Sequence, residues 1–285
     1  MLYSSFQARH GKITTFSSVN DEIFFHQTLK SFIVTLCKVY KLRQVRIYQK
    51  GPYEKGQLIE LMSSASQHVS LVLRMNVGEN IILFSGENKE FPSTIEAIHK
   101  KTVTVKINDC IHITRESPRK IHLAQAISKG ERMDFVVQKA VELGVFSITP
   151  LLTTHCVVRL DAHRMQKKQQ QWQAIAIAAC EQSGRNYLPI IHEPTLLETF
   201  LNNVVATTKL ILHPKTETTW QHAPFPDGDI ALLIGPEGGL SQEEVLLAME
   251  KQFKPWCLGP RILRTETAAL AGLSILQAVS GDMGF

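Results

Sequence analysis

From residue 119 onward the apolar positions alternate between short strand-like runs and stretches of helical period. Ile121–Ala126 and Phe146–Leu152 read as strands. Between them, residues 131–143 read as a helix with Met133, Val136, Val137, Ala140 and Val141 on one stripe and Gly144 at the C′ position. A long helix is expected over about 162–183, Gln- and Lys-rich in its first turns and carrying an Ala/Ile face. Lys209–His213, Ile230–Ile234 and Trp256–Leu258 read as further strands. Ser241-Gln-Glu-Glu244 is a capping box, and Thr265 or Glu266 opens a last helix that buries Ala268, Ala269, Leu270, Leu273, Ile275 and Leu276 and stops near Gly281. Strand and helix in alternation predict an α/β domain with a mostly parallel sheet.

Residues 43–115 follow a different period. Arg46–Tyr48, Gln57–Glu60, Asn80–Phe84, Ser93–Ile98 and Thr102–Ile107 are short and β-branched or alternating, separated by Gly-, Asn- and Lys-rich turns, with a short helix over Ser64–Leu73. Five such strands predict a small β-barrel, an architecture often used to hold RNA. Ser117-Pro118 marks the boundary. Residues 1–42 fit neither pattern. They open with Ser, Thr and aromatic residues, and His26–Leu42 predicts a helix with Leu29, Phe32, Ile33, Leu36 and Val39 on one side. This stretch lacks the apolar core and cleavage site of a secretory signal. Its scarcity of acidic residues leaves a transit peptide open, although Arg9 is its one arginine. No Met occurs between Met1 and Met62, so a start within the stretch would need a non-AUG codon, and Leu42 is the candidate. The expected organisation is an extension over 1–42 outside the core, a small β domain over 43–117 and an α/β domain over 118–285.

Composition narrows the class. With 44% hydrophobic and 20% charged residues the chain is an ordinary folded protein, and at 285 residues it exceeds the usual single domain. No run reaches the roughly twenty apolar residues that span a bilayer, so no membrane association is expected. The net charge of +5 suits a nucleic-acid partner without requiring one. Cys37, Cys110, Cys156, Cys180 and Cys257 are scattered and odd in number, which predicts reduced packing residues in the cytoplasm. The eleven histidines form no metal-binding spacing, so no metal is expected.

Two segments carry the chemistry: Leu233-Ile-Gly-Pro-Glu-Gly-Gly239 and Leu258-Gly-Pro-Arg-Ile-Leu-Arg-Thr-Glu-Thr-Ala-Ala-Leu270. Each reads as a strand end opening into a shaped loop and then a helix. Neither has the spacing of a dinucleotide fingerprint or a phosphate loop. Two such loops side by side make a cleft for a flat, apolar ligand held by backbone hydrogen bonds, and adenosine fits that description.

These motifs, followed by Ser-x-x-Glu in the first case, resemble the RsmE family of bacterial 16S rRNA (uracil1498-N3)-methyltransferases. Lys129-Gly-Glu-Arg-Met-Asp134, Gln138–Gly144 and Ala178–Arg185 agree with the family, as do Arg46-Ile-Tyr48, His68 and Val72-Leu-Arg74. The resemblance covers about residues 43–283. The family usually begins Met-Arg shortly before Arg-Ile-Tyr, where Leu42-Arg43 stands here. The resemblance implies a PUA-like barrel followed by a SPOUT domain with a trefoil knot, S-adenosylmethionine bound bent in that knot, a homodimer, and 16S rRNA in the 30S subunit as partner. By position it implies that Leu212, Gly235, Gly239, Leu258, Gly259, Ile262, Leu263, Arg264 and Thr267 bind the cofactor.

Uracil N3 holds its proton with a pKa about two units above neutral, so forming the anion costs on the order of 3 kcal/mol. Arg264 or Arg261 is expected to stabilise that charge. Glu266 either fixes the arginine, takes the proton, or only ties the loop together. Arg46, Arg74, Arg132 and Arg185 are the expected RNA contacts, with a flipped uracil giving specificity. His155 stands where the family commonly carries a basic residue, and would serve an RNA contact only partly at neutral pH. Two other readings stay open: a SPOUT methyltransferase for another rRNA or tRNA nucleotide, and a non-catalytic RNA-binding assembly factor.

Overall fold

The computed structural model describes residues 44–100, 102–156, 161–214, 216 and 227–284; the extension over 1–42, with its expected helix and start site, lies outside them. The first part of the described chain is β-rich. Strands β1 (Arg46–Tyr48), β2 (Leu58–Glu60), β3 (Asn80–Phe84), β4 (Lys89–His99), β5 (Thr102–Ile107) and β6 (Ile111–His112) make one sheet in the order β1-β3-β4-β5-β2, with β6 on β4. Alternation puts Ile95, Val103, Val105 and Ile107 into one core with Ile47, Leu83 and Phe91. The backbone ladder ends at β1 and β2. The Gln49 side chain bridges those ends, donating to the Glu60 carbonyl at 3.0 Å and accepting from the Met62 amide at 2.9 Å. The expected helix over Ser64–Leu73 is α1 (Ser63–Gln67) continued by a π-helical turn, His68–Val72.

The second sheet is parallel throughout, in the order β10-β8-β7-β12-β11-β13, with β9 beside β8. Its strands are β7 (Ile121–Ala126), β8 (Ser147–Leu152), β9 (Ile190–Ile191), β10 (Thr195–Leu196), β11 (Thr208–Leu212), β12 (Ile230–Ile234) and β13 (Lys254–Trp256). Helices α2 (Arg132–Glu142), α3 (Ala162–Ser183), α4 (Leu197–Asn203), α5 (Gln242–Glu250) and α6 (Thr265–Ser280) connect them. One core gathers Val136, Trp172, Leu232, Leu273 and Leu276, and another gathers Leu197, Leu201, Leu233, Ala248 and Phe253. Leu232 and Leu233, adjacent on β12, therefore serve opposite faces, and all five residues of that strand are buried.

Most expected elements stand where the periodicity put them. The last strand differs: Lys254–Trp256 replaces Trp256–Leu258. It is an edge strand bonded only to β11, where Pro255 is tolerated, and this releases Leu258 to the following loop. Helix α4 and the short strands β6, β9 and β10 lacked a readable period. Among the described residues no helix is long and apolar enough to cross a membrane.

Candidate functional site

β12 delivers Gly235 to the carboxyl end of the sheet, where parallel α/β folds bind ligands. The Gly239 amide donates to the Pro236 carbonyl at 2.9 Å, and Gly239 adopts φ +74°, which a side chain would resist. Ser241 then caps α5: its hydroxyl accepts from the Glu244 amide, and the Glu244 carboxylate accepts from the Ser241 amide at 2.8 Å. The expected capping box thus fixes where the first loop ends. The second loop runs from Cys257 to Arg264, with Gly259 at φ +110°, and Arg264 is the N-cap of α6 without using its side chain to cap.

Thr265 joins the two loops. Its hydroxyl donates to the Gly235 carbonyl at 2.7 Å and accepts from the Gln125 side chain at 2.9 Å, at the end of β7. Sequence reasoning missed both residues, although a Gln inside an apolar strand buried on both faces was the available signal.

The loops and the end of β11 enclose a cavity of about 700 Å³, within the range of small-ligand sites. Leu212, Gly235, Gly239, Leu258, Gly259, Ile262, Leu263 and Arg264, the positions the family resemblance implies, line it together with Ile234, Leu240 and Ala268. Open space lies where Gly239 and Gly259 would each carry a Cβ, so a ligand can approach their backbone. Leucine side chains and bare backbone suit the flat adenosine end of S-adenosylmethionine. Thr267 is exposed and lies outside the lining, whereas Thr265, two residues earlier and roughly 200° around the helix, lies in it.

Of the three residues expected to do chemistry, Arg261 and Arg264 are exposed in the lining and make no ion pair or side-chain hydrogen bond among the described residues. They therefore present positive charge at the mouth. Glu266 lies outside the lining, in the first turn of α6, where a carboxylate complements the helix dipole. Its Oε2 is buried without a hydrogen-bond partner among the described residues.

The expected RNA arginines divide. Arg74 is exposed, at φ +52°. Arg132 lines the cavity and donates to Glu237 of the first loop at 2.8 Å. Burial would raise the Glu237 pKa, but hydrogen bonds from its own amide, the Lys129 amide and Arg132 hold it below the ordinary value. Arg46 and Arg185 are not presented to solvent, with side chains 9% and 5% exposed. Arg46 donates to Glu90 at 2.6 Å and to Asn186, while Arg185 pairs with Glu116 and donates to the Val141 and Val145 carbonyls at 2.8 and 3.0 Å. Arg185 uses all three of its guanidinium nitrogens in this way, whereas Arg46 keeps a buried Nε without a partner among the described residues, and burial leaves neither residue a face for phosphate. His155 is exposed with Nδ1 3.0 Å from the Gly239 carbonyl. An acceptor there requires the proton on Nδ1, so the imidazole braces the first loop. No group of three His, Cys, Asp or Glu among the described residues is placed to hold a metal ion.

Residues 115–277 match the RNA methyltransferase domain model, and residues 65–108 match the RNA methyltransferase PUA domain model. The chain is 38% identical to the ribosomal RNA small subunit methyltransferase E of Buchnera aphidicola over 85% of its own length and 99% of the relative's. Against the Bacillus subtilis protein of the same name the figures are 30%, 80% and 93%. Two solved structures superpose closely over 85% of this chain and the whole of theirs. One is a Legionella pneumophila methyltransferase in complex with its bound cofactor SAM, at 54% identity and a TM-score of 0.83. The other is ribosomal RNA small subunit methyltransferase E from Neisseria gonorrhoeae bound to S-adenosyl methionine, at 37% and 0.80. With a cavity between its two Gly-Pro loops and this similarity over nearly all of its described length, the chain belongs to the ribosomal RNA small subunit methyltransferase E family.

Proposed function

We propose that this protein transfers a methyl group from S-adenosylmethionine to N3 of the uridine at position 1498 of 16S rRNA in the 30S subunit, acting as a homodimer in the cytoplasm. The observation that carries the reading is the cavity at the strand ends, walled by both Gly-Pro loops and fastened by Thr265. Leu212, Gly235, Gly239, Leu258, Gly259, Ile262, Leu263 and Arg264 would hold the cofactor, chiefly through backbone groups, in the trefoil knot that the family resemblance implies. Bound there, S-adenosylmethionine supplies a methyl group on a sulfonium, activated for in-line displacement.

The chain's own residues prepare the nucleophile. Arg261 and Arg264 have no side-chain partners among the described residues and stand at the mouth, where their charge favours the uracil anion over the neutral base. The N-terminus of α6 begins at the same place and adds the positive end of its dipole. Glu266, which pairs with neither arginine among the described residues, is the carboxylate next to them in sequence that would take the N3 proton. Arg74 and Arg132 contact RNA, and Ile262, 88% exposed at the cavity rim, is apolar surface for a second copy to cover. In this reading residues 43–117 hold RNA and residues 118–285 hold the cofactor.

Calorimetry with S-adenosylmethionine, followed by transfer of labelled methyl to 30S subunits and to free 16S rRNA, tests the proposal. Saturable one-site binding and label confined to one uridine are expected. No binding would favour the non-catalytic assembly factor, and label on another nucleotide would favour a different SPOUT specificity.

A further inference from the structure

The charge of the described domains is nearly balanced. Residues 44–117 carry nine Lys and Arg against eight Asp and Glu, and residues 118–285 carry sixteen against sixteen. Broad electrostatic attraction therefore contributes little to placing RNA over the cavity, and geometry must do more. A methyl transfer loses on the order of 10²-fold in rate for a misplacement of about 1 Å. The angle between the β-barrel and the parallel-sheet domain is thus a quantity the molecule has reason to fix.

A partly buried polar network stands at that junction, with Arg115 at its exposed edge. Glu90 of β4, 6% exposed, accepts from Arg46 of β1 and from Arg115 of the linker, each at 2.6 Å, and from the Asn186 side chain at 3.0 Å. Asn186 also donates to the Ile113 carbonyl at 2.8 Å, and Arg115 donates to the Gly184 carbonyl at 2.8 Å. Residues 184–186, the segment leaving α3, are thereby bound to the barrel and the linker together. The next linker residue, Glu116, pairs with Arg185, whose remaining donors hold the end of α2 through the Val141 and Val145 carbonyls. Ser117 then donates to Gln277 of α6 at 2.7 Å, and Gln277 donates to the Leu143 and Gly144 carbonyls at 2.9 and 3.3 Å. Gln277 and Thr265 sit on the same helix, twelve residues and about 18 Å apart. One continuous set of contacts therefore runs from the barrel through the linker to the helix whose first turn fastens the cofactor loops.

We propose that Glu90, Glu116, Asn186 and Gln277 are positioning residues that lock the barrel at the angle required for RNA to meet the cofactor cavity. Apolar side chains of similar volume would hold the two parts together at least as tightly. Ionised groups with fixed partners at the junction instead define a single relative orientation, because any rotation strands a buried charge. Arg46 and Arg185 thus act on RNA only through the domain angle. This inference rests on the proposed methyl transfer to rRNA.

The test uses the full chain with Glu90→Gln and, as a milder change, Asn186→Ala. Wild-type methylation of 30S subunits checks the underlying activity, so its failure is distinguishable from failure of the variants. The expected result is a fall in kcat/KM for 30S on the order of 10²-fold, with S-adenosylmethionine Kd within about twofold of wild type and a broadened interdomain distance distribution between spin labels. Unchanged kcat/KM in a folded Asn186→Ala protein would overturn the proposal, as would an unchanged distance distribution. Should Glu90→Gln fail to fold, the Asn186→Ala result alone decides.

Discussion

The Thr265 hydroxyl donates to the Gly235 carbonyl at 2.7 Å, and this one bond joins the two loops that wall the cavity. Thr265→Val keeps the shape and removes the hydroxyl, leaving the Gly235 carbonyl and the Gln125 amide short of a partner. An unmade buried hydrogen bond costs about 1–3 kcal/mol. Calorimetry should therefore show S-adenosylmethionine affinity reduced by roughly tenfold or more. Thr267→Val, outside the lining, should leave it unchanged; equal losses in both variants would contradict the placement.

Ser241→Ala removes one half of the capping box that ends the first loop. Such a cap is worth about 1 kcal/mol, or roughly 2–4 °C in the melting of a domain this size. A melting temperature within error of wild type would show that the cap is redundant.

Gly259→Ala separates backbone from packing. Nothing lies within 4 Å of the added Cβ, yet φ is +110°. The expected cost is about 1–2 kcal/mol of backbone strain without a steric clash, together with weaker cofactor binding as the loop relaxes. Wild-type stability and affinity would mean that the loop adopts another conformation at Gly259.

Acid should loosen the junction between barrel and sheet. Burial pushes the Glu90 carboxyl up, but hydrogen bonds from Arg115, Arg46 and Asn186 and the charge of Arg46 hold it below its ordinary 4.5. A depressed pKa means that the stabilisation is fully present above the unfolded value and is lost as pH falls through the folded one. Melting temperatures recorded from pH 7 downward should fall below about pH 4.5 in the wild type, and Glu90→Gln should remove part of that slope while starting lower. Parallel curves would assign the acid response to other carboxylates.

Much of this was legible in the chain because local pattern dictates it. The five apolar residues of β12, the Ser241–Glu244 cap and the Gly-Pro loops announce a central strand, a helix start and a ligand site, and eight of the nine expected cofactor positions line one cavity. Thr267 falls outside that lining because the motif gives spacing but not the phase of the helix, which starts at Thr265. Arg46 and Arg185 read as RNA contacts because the partners that bury them are remote in sequence. Asn186 lies 140 residues from Arg46, and Glu116 lies 69 residues from Arg185. No window of local sequence brings such groups together.

The central claim is that this chain methylates N3 of uridine 1498. Mass spectrometry of 16S rRNA from a strain lacking the gene, with and without the gene restored, measures it most directly. Loss of N3-methyluridine from the fragment containing position 1498, and its return on complementation with wild type, is the expected result. Intact modification in the deletion strain, or loss at a different nucleotide, would contradict it.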